Sequence, residues 1–119
     1  MHFLYKKNMK LNDVYLGNCF DLIKNLEDNS IELIVCDGPY GVTDFEWDKI
    51  PNIREFNLSL IKEFSRVLKP GGSLYLFGKP NCFNVDDTEK YLKYMDTINW
   101  HQPSRLAQGR LQWTKTMTS

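Results

Sequence analysis

Stretches of apolar and polar residues alternate along this chain in an order that predicts strands and helices in turn. The nearly continuous apolar run Ile31–Cys36, rich in β-branched residues, indicates a strand buried on both faces of a sheet. Further strands are expected at Ser73–Phe77 and, in shorter form, at Asp13–Leu16 and Thr97–Trp100. Strands that alternate with helices favour right-handed crossovers and a mostly parallel sheet, here of about four strands.

The clearest helical pattern spans residues 52–68. Its apolar residues recur at intervals of three and four and form one stripe, made of Ile53, Phe56, Leu60, Ile61, Phe64, Val67 and Leu68. Asn52, followed three residues later by Glu55, predicts a capping box at the start of the helix. The run Lys69-Pro70-Gly71-Gly72 predicts its end, because proline cannot continue a helix and glycine accepts the left-handed cap.

Two shorter helices complete the predicted layer. One begins at an Asn18 cap and runs to about Leu26, and a weaker one runs from Asp86 to about Met95. With helices flanking about four strands, the sequence predicts the α/β class. Four strands are fewer than most doubly wound domains contain, so the layer is expected to be incomplete.

Composition and charge exclude several classes of protein. The 119 residues, 42% hydrophobic and 25% charged, fit one soluble domain, and no apolar run is long enough to span a membrane. Three cysteines without a Cys-x-x-Cys pair, and two distant histidines, favour a cytoplasmic protein without disulfides or a metal site. With 15 basic and 15 acidic residues, the chain is not a basic nucleic-acid clamp over its whole length.

Basic charge is concentrated near the C-terminus. Residues 101–119 contain Arg105, Arg110 and Lys115 and no acidic residue. We interpret this segment as a basic, poorly ordered tail, and the alternative is an arm that contacts nucleic acid. Residues 1–10 are interpreted as a leader, which leaves 11–100 as the folded segment.

Candidate chemistry follows the predicted strands, because ligands of open parallel sheets bind outside the carboxyl ends of the strands. The segments at these ends are 37–41, 78–81 and 100–102. Taken alone, Asp37-Gly38-Pro39-Tyr40 is typical of a tight turn. After a buried strand, however, the Asp37 carboxylate and the Gly38 carbonyl can each accept one N–H of an exocyclic amine, and Tyr40 can stack on the base that carries it.

Three runs together carry a family resemblance: Gly17-Asn18, then Ser30–Gly41 with Glu46-Trp47-Asp48, then Arg66–Ser73. In these residues the chain resembles the amino-methyltransferases of DNA, and more narrowly their beta group, over residues 13–100. The resemblance implies a Rossmann-like methyltransferase fold, of which residues 11–100 are the catalytic half and this chain the N-terminal portion. The implied reaction transfers a methyl group to the exocyclic amine of adenine, or less often cytosine, in DNA methylation and restriction–modification.

The resemblance also implies a role for each residue of the tetrapeptide. Asp37 accepts a hydrogen bond from the target amine, and Gly38 offers its carbonyl to the same nitrogen. Pro39 holds the turn, and Tyr40 stacks on the flipped base. The family usually has proline where Gly38 stands, and glycine at that position loosens the turn.

The methyl donor implied by the resemblance is S-adenosylmethionine. The family binds it partly through a Phe-x-Gly-x-Gly segment, and none of the seven glycines in this chain are spaced in that way. Asn18, where the family often has aspartate, is a candidate cofactor contact. Candidate contacts to double-stranded DNA are Lys79, Arg105 and Arg110. The expected second partner is a polypeptide that completes the fold, and neither a metal nor a membrane is expected.

Two other functions stay open. The chain is alternatively an inactive remnant or a subunit of a split methyltransferase, or else a methyltransferase that acts on an amine in RNA or protein. A calcium loop is weakly indicated by the spacing of Asp44, Glu46, Asp48 and Glu55, although lysine replaces the required glycine. Phe45 and Trp47 are expected to anchor their loop on the sheet or to lie along a nucleic-acid groove.

Overall fold

The computed structural model describes residues 9–101 and the backbone of residues 112–118. The helices are α1 (Cys19–Ile23), α2 (Ile53–Val67) and α3 (Val85–Thr88), and short 3-10 turns occur at Glu46–Asp48 and Pro80–Cys82. The strands are β1 (Ile31–Cys36), β2 (Leu68–Gly78), β3 (Lys93–Trp100) and β4 (Gln112–Thr118). The predicted α/β class is therefore confirmed.

The strands form one four-stranded sheet in the order β1-β2-β4-β3. β1 and β2 are parallel, whereas β4 pairs antiparallel with both β2 and β3. Three strands therefore run in one direction and only β4 opposes them, so the expectation of a mostly parallel layer of about four strands is confirmed. The carboxyl ends of β1 and β2 lie side by side at one edge of the sheet.

Helix α2 begins and ends where the sequence predicts. The Asn52 side chain accepts a hydrogen bond from the backbone N–H of Glu55 at 3.1 Å, and its amide donates to the Glu55 carboxylate at 3.2 Å. The apolar stripe of the helix packs on one face of the sheet. The core comprises Ile23, Leu60, Ile61, Phe64, Val67, Leu68, Leu74, Leu76, Cys82, Phe83 and Leu92.

One face of β1 is not covered, which makes the prediction of burial on both faces wrong. Leu33 and Val35 are 55% and 63% exposed, whereas Ile31 and Ile34 pack against the core. An apolar run shows that a strand is hydrophobic, but it does not show which of its faces another element covers. The described residues place helices against only one of its faces.

The N-terminal segment differs from the prediction in two ways. Asp13–Leu16 is not a strand, because no neighbouring described strand pairs with it, and Val14 and Leu16 are exposed. Asn18 does cap a helix, with its side-chain oxygen accepting from the N–H of Phe20 at 2.9 Å. That helix ends at Ile23 rather than near Leu26.

The segment after β2 also departs from the prediction. The helix expected to run to about Met95 is only the single turn α3, because β3 already begins at Lys93 to pair along β4. β4 itself lies within residues 101–119, so the sheet extends beyond the predicted boundary at residue 100. Residues 1–8, 102–111 and 119 lie outside the described part of the chain.

The link between α2 and β2 confirms the predicted helix stop. The helix ends at Val67 and the strand follows at once, earlier than the expected Ser73. The parallel register shifts between the pairs Ile31–Leu68 and Leu33–Ser73, so residues 69–72 bulge out of the ladder. Gly71 has φ +82° there. No helix among residues 9–101 is long and apolar enough to cross a bilayer.

Candidate active site

Two of the three predicted segments meet at the carboxyl ends of β1 and β2. The thiol of Cys82, in the turn after β2, lies 3.7 Å from the backbone carbonyl of Tyr40, in the loop after β1. Helix α2 fixes that turn, because Arg54 Nε donates to the carbonyl of Asn81 and Asn57 Nδ2 to that of Cys82, each at 3.0 Å. The third segment follows β3, which β4 separates from β2.

Asp37 stands exposed directly after β1. The Tyr40 hydroxyl donates to Asp37 Oδ1 at 2.5 Å, and Oδ2 accepts no hydrogen bond from the described residues. Burial and then the hydrogen bond and charge of Asp37 raise the pKa of Tyr40 above its usual range. The phenol therefore remains a neutral donor, and one carboxylate oxygen stays available to an incoming N–H.

Asp48 organises the loop that carries the tetrapeptide. Only 2% of this residue is exposed, and its carboxylate accepts five hydrogen bonds. Oδ1 accepts from the N–H groups of Tyr40 (2.7 Å) and Gly41 (3.0 Å), and Oδ2 from those of Val42 (3.0 Å) and Thr43 (2.7 Å) and from the Thr43 hydroxyl (2.7 Å). Four consecutive backbone N–H groups thus surround one anion, as in an anion-binding nest.

The pKa of Asp48 reflects this arrangement. Burial by itself raises the pKa of the carboxyl, but the hydrogen bonds, led by that of the Thr43 hydroxyl, outweigh burial and hold the pKa below its ordinary value. Gly41, with φ +71°, supplies the left-handed residue that lets the chain curl around the carboxylate. The loop is therefore fixed by a charged side chain.

The sequence did not predict this role for Asp48. The residue was noted only as part of the run Glu46-Trp47-Asp48 and of the calcium-loop spacing. The sequence feature that could have indicated this role is the short separation of Asp48 from Tyr40 within a loop that contains glycine. The acidic residues at calcium-loop spacing do not form a calcium site. Both carboxylate oxygens of Asp48 accept hydrogen bonds from the loop, and Glu46 pairs with Lys49 at 3.4 Å. Among the described residues no group of three or more potential ligands could hold a metal ion.

Phe45 and Trp47 lie on the outside of the same loop. They are 63% and 67% exposed, and their rings stack with centroids 5.7 Å apart and planes 7° from parallel. The expectation that they anchor the loop on the sheet is therefore wrong. Their alternative placement along a nucleic-acid groove stays a prediction.

The remaining candidate residues are scattered. Lys79 follows β2 close to Cys82, where its charge opposes the effect of burial, which raises the pKa of that thiol. Asn18 is exposed at the start of α1 and uses its side-chain oxygen to cap that helix. Arg105 and Arg110 lie outside the described residues.

The lining of one cavity among the described residues does not fit S-adenosylmethionine. A cavity of about 380 Å³ lies between the N-terminal segment and the core. Its lining is mainly apolar and contains no charged side chain: Met9, Tyr15, Gly17, Cys19, Leu22, Ile23, Leu26, Ile31, Ile34, Phe64 and Val67. The charged sulfonium and amino-acid head group need charged partners, and the lining offers only the Tyr15 hydroxyl and the Cys19 thiol as polar side-chain groups.

Comparison with known proteins gives one consistent result. A sequence profile of a DNA methylase family, N6_N4_Mtase, matches residues 31–116. The chain is 31% identical over 113 residues to the type II methyltransferase M2.MboI of Moraxella bovis, a match covering 77% of this chain and 41% of that protein. It is 33% identical over 98 residues to M1.MboII of the same organism, covering 77% of this chain and 38% of that protein.

Solved structures show the same fold. A putative DNA modification methylase of Thermus thermophilus, complexed with S-adenosyl-L-methionine, superposes with a TM-score of 0.65 at 16% identity, over 87% of this chain and 51% of that one. The PvuII cytosine-N4-specific DNA methyltransferase superposes with a TM-score of 0.59 at 15% identity, over 87% and 48%. This chain thus spans about two fifths of those curated relatives and about half of these solved chains. The profile match and the Moraxella relatives show that the chain belongs to the DNA methylase family of site-specific amino-methyltransferases, as the tetrapeptide and its surrounding runs predicted.

Proposed function

We propose that this chain supplies the amine-holding part of an enzyme that methylates the exocyclic amine of adenine in double-stranded DNA. The observation that carries the proposal is the exposed carboxylate of Asp37, directly after β1, in a loop whose backbone is hydrogen-bonded to Asp48. Had this acid been packed beneath apolar side chains, it could not reach a substrate. Family membership supports the DNA amine as substrate, and adenine rather than cytosine is part of the proposal.

The proposed chemistry uses two oxygens of the chain. Asp37 Oδ2 accepts one N–H of the amine and the Gly38 carbonyl accepts the other, which draws the nitrogen from planar towards tetrahedral geometry and frees its lone pair. S-adenosylmethionine, held by other polypeptide, would supply an electrophilic methyl group to that lone pair. The surplus proton on nitrogen then leaves to solvent.

Tyr40 and Pro39 orient the groups that would hold the amine and the base. The Tyr40 hydroxyl holds Asp37 Oδ1 at 2.5 Å, so the carboxylate is oriented before the base arrives. The ring of Tyr40 supplies a stacking face, which is worth about 1–3 kcal/mol and offsets part of the few kcal/mol that base eversion costs. Pro39 restricts the turn between the two oxygens and the ring.

The methyl donor is held, in this proposal, by polypeptide outside the described residues, either the remainder of a longer chain or a separate subunit. β1 pairs with only β2 among the described strands, and its exposed Leu33 and Val35 offer an apolar face for such a segment. The matched relatives are more than twice as long as the matched region, which leaves room for the segment. Lys79, Arg105 and Arg110 are proposed to contact DNA phosphates.

The test replaces Asp37 by alanine in the chain combined with the polypeptide that completes it. Incorporation of labelled methyl groups into duplex DNA is expected to fall by at least about a hundredfold, since the interaction lost is made with the reacting nitrogen. DNA affinity is expected to stay within about twofold. Glu27→Ala, at an exposed acid outside this loop, is the control and keeps full activity. Appreciable methyl transfer by the Asp37→Ala variant contradicts the proposed role.

A separate titration tests where the donor binds. Calorimetry of this chain alone with S-adenosylmethionine is expected to show no binding at micromolar concentrations. Micromolar affinity would mean that the chain already contains a donor site. That result would refute the proposal that other polypeptide supplies the site.

A further inference from the structure

Two large aromatic rings lie together in solvent beside the candidate active site. Phe45 and Trp47, called here the aromatic pair, are each more than 60% exposed and stack nearly in parallel, with planes 7° apart. The other ring pairs in the described part are T-shaped: Phe20 with Phe56, and Phe77 with Trp100. The aromatic pair therefore presents flat ring surface outward, in a form that suits another planar group.

Hydrogen bonds hold the backbone of the loop that carries the aromatic pair. Trp47 is the central residue of the 3-10 turn Glu46–Asp48, in which the N–H of Asp48 donates to the carbonyl of Phe45 at 2.9 Å. The Asp48 carboxylate at the end of this turn is buried and accepts the N–H groups of Tyr40 through Thr43. One buried side chain thus connects the aromatic pair to the tetrapeptide, so little ordering remains to be done when a partner stacks on the rings.

The charges around the aromatic pair restrict its partner. Asp44 and Glu46 flank Phe45 in the sequence, and both are exposed. Lys49 pairs with Glu46 at 3.4 Å, which leaves Asp44 to repel a phosphate. A DNA contact at this point is therefore made with the uncharged face of a base rather than with the backbone. In an intact duplex those faces are covered by neighbouring bases, so only an unstacked base fits.

We infer that the aromatic pair is a stacking platform for a DNA base that loses its neighbour when the target nucleotide is everted. This inference rests on the proposed function and adds a second contact to it: Tyr40 stacks on the target base, and Trp47 covers a base left behind. The platform compensates for stacking that the duplex loses on eversion.

The test follows tryptophan emission of the full chain on titration with a short single-stranded oligonucleotide, with its intact duplex, and with a duplex that has an abasic position. Emission is expected to be quenched by the single strand and the abasic duplex and much less by the intact duplex. Trp47→Leu is expected to weaken binding of the single strand about fivefold to a hundredfold, the equivalent of one lost base stack. Trp47→Phe restores most of the affinity, and Trp100→Leu, at an exposed ring elsewhere, serves as the matched control.

Each outcome decides between the two proposals. If Trp47→Leu binds all three probes as the unmodified chain does, or if no probe changes the emission, the platform is refuted. If emission changes only when the completing polypeptide is added, the aromatic pair is a protein contact and the inference fails. Methyl transfer is measured separately. If Trp47→Leu keeps both its activity and its DNA affinity, the platform alone is refuted. If Asp37→Ala keeps appreciable methyl transfer, the proposed function is refuted.

Discussion

Replacing Asp48 by asparagine tests whether one buried carboxylate fixes the loop of the candidate active site. Asparagine has nearly the same volume but keeps a single acceptor oxygen. The amide nitrogen that replaces the other oxygen then faces backbone N–H donors, so at least two of the five hydrogen bonds are lost. A hydrogen bond to a charged group contributes about 1.5–3 kcal/mol, so two bonds near the lower end of that range give an expected loss of stability of about 3–4 kcal/mol.

The loss is large enough to measure by thermal unfolding followed by circular dichroism. For a chain of this size about 3–4 kcal/mol corresponds to a fall in Tm of roughly 10–20 °C. Asp44→Asn, at an exposed position four residues earlier, is the matched control and is expected to shift stability by no more than about 0.5 kcal/mol. If Asp48→Asn unfolds within about 1 kcal/mol of this control, the five hydrogen bonds do not stabilise the loop as argued.

The dependence on pH gives the same reasoning a second check. The pKa of the Asp48 carboxyl is lowered in the folded chain, so its contribution to stability is fully present above the unfolded value of about 4. It is lost as pH falls below that value towards the lowered folded pKa. The stability difference between the unmodified chain and Asp48→Asn is therefore expected to shrink from pH 7 to pH 3. A difference that stays constant or grows on acidification refutes the assignment.

Two further substitutions test the turn and the open edge of the sheet. Gly38→Ala is expected to raise the free energy of unfolding by about 0.4–1 kcal/mol, because alanine reduces the entropy of the unfolded chain. The site can accept it, since the new Cβ lies 3.8 Å from Cys36 Sγ and the φ of Gly38 is not left-handed. Denaturant titration measures the change, and destabilisation would contradict this prediction. The unmodified chain is expected to self-associate through β1 in size-exclusion chromatography, and Val35→Lys is expected to shift it towards monomer. Leu16→Lys, at an exposed apolar position outside the sheet, is the control. A monomeric unmodified chain would contradict the open-edge argument.

Local signals were sufficient for the elements that short-range chemistry controls. The bounds of β1 and α2, the Asn18 and Asn52 caps and the position of the tetrapeptide all follow from neighbouring residues. The family could also be predicted, because several short runs must occur in one order and spacing, and the DNA methylase profile confirms it.

Long-range pairing explains what could not be predicted. β4 turns residues near Lys93 into a strand where the sequence predicts a helix, because a ladder of hydrogen bonds to a distant segment overrides local propensity. The role of Asp48 depends on a loop that curls back over four N–H groups, which is a property of the folded backbone.

By itself, the sequence determined the bounds of β1 and α2 and brought an acid, a carbonyl and an aromatic ring to the end of a strand, since these depend on residues adjacent in the chain. Only the tertiary structure decided which face of β1 is covered, which oxygen of Asp37 stays available and which acid fixes the loop. The physical reason is that burial and hydrogen-bond partners are set by residues that come together in space. The distance between two residues along the chain says little about whether they come into contact in the folded protein.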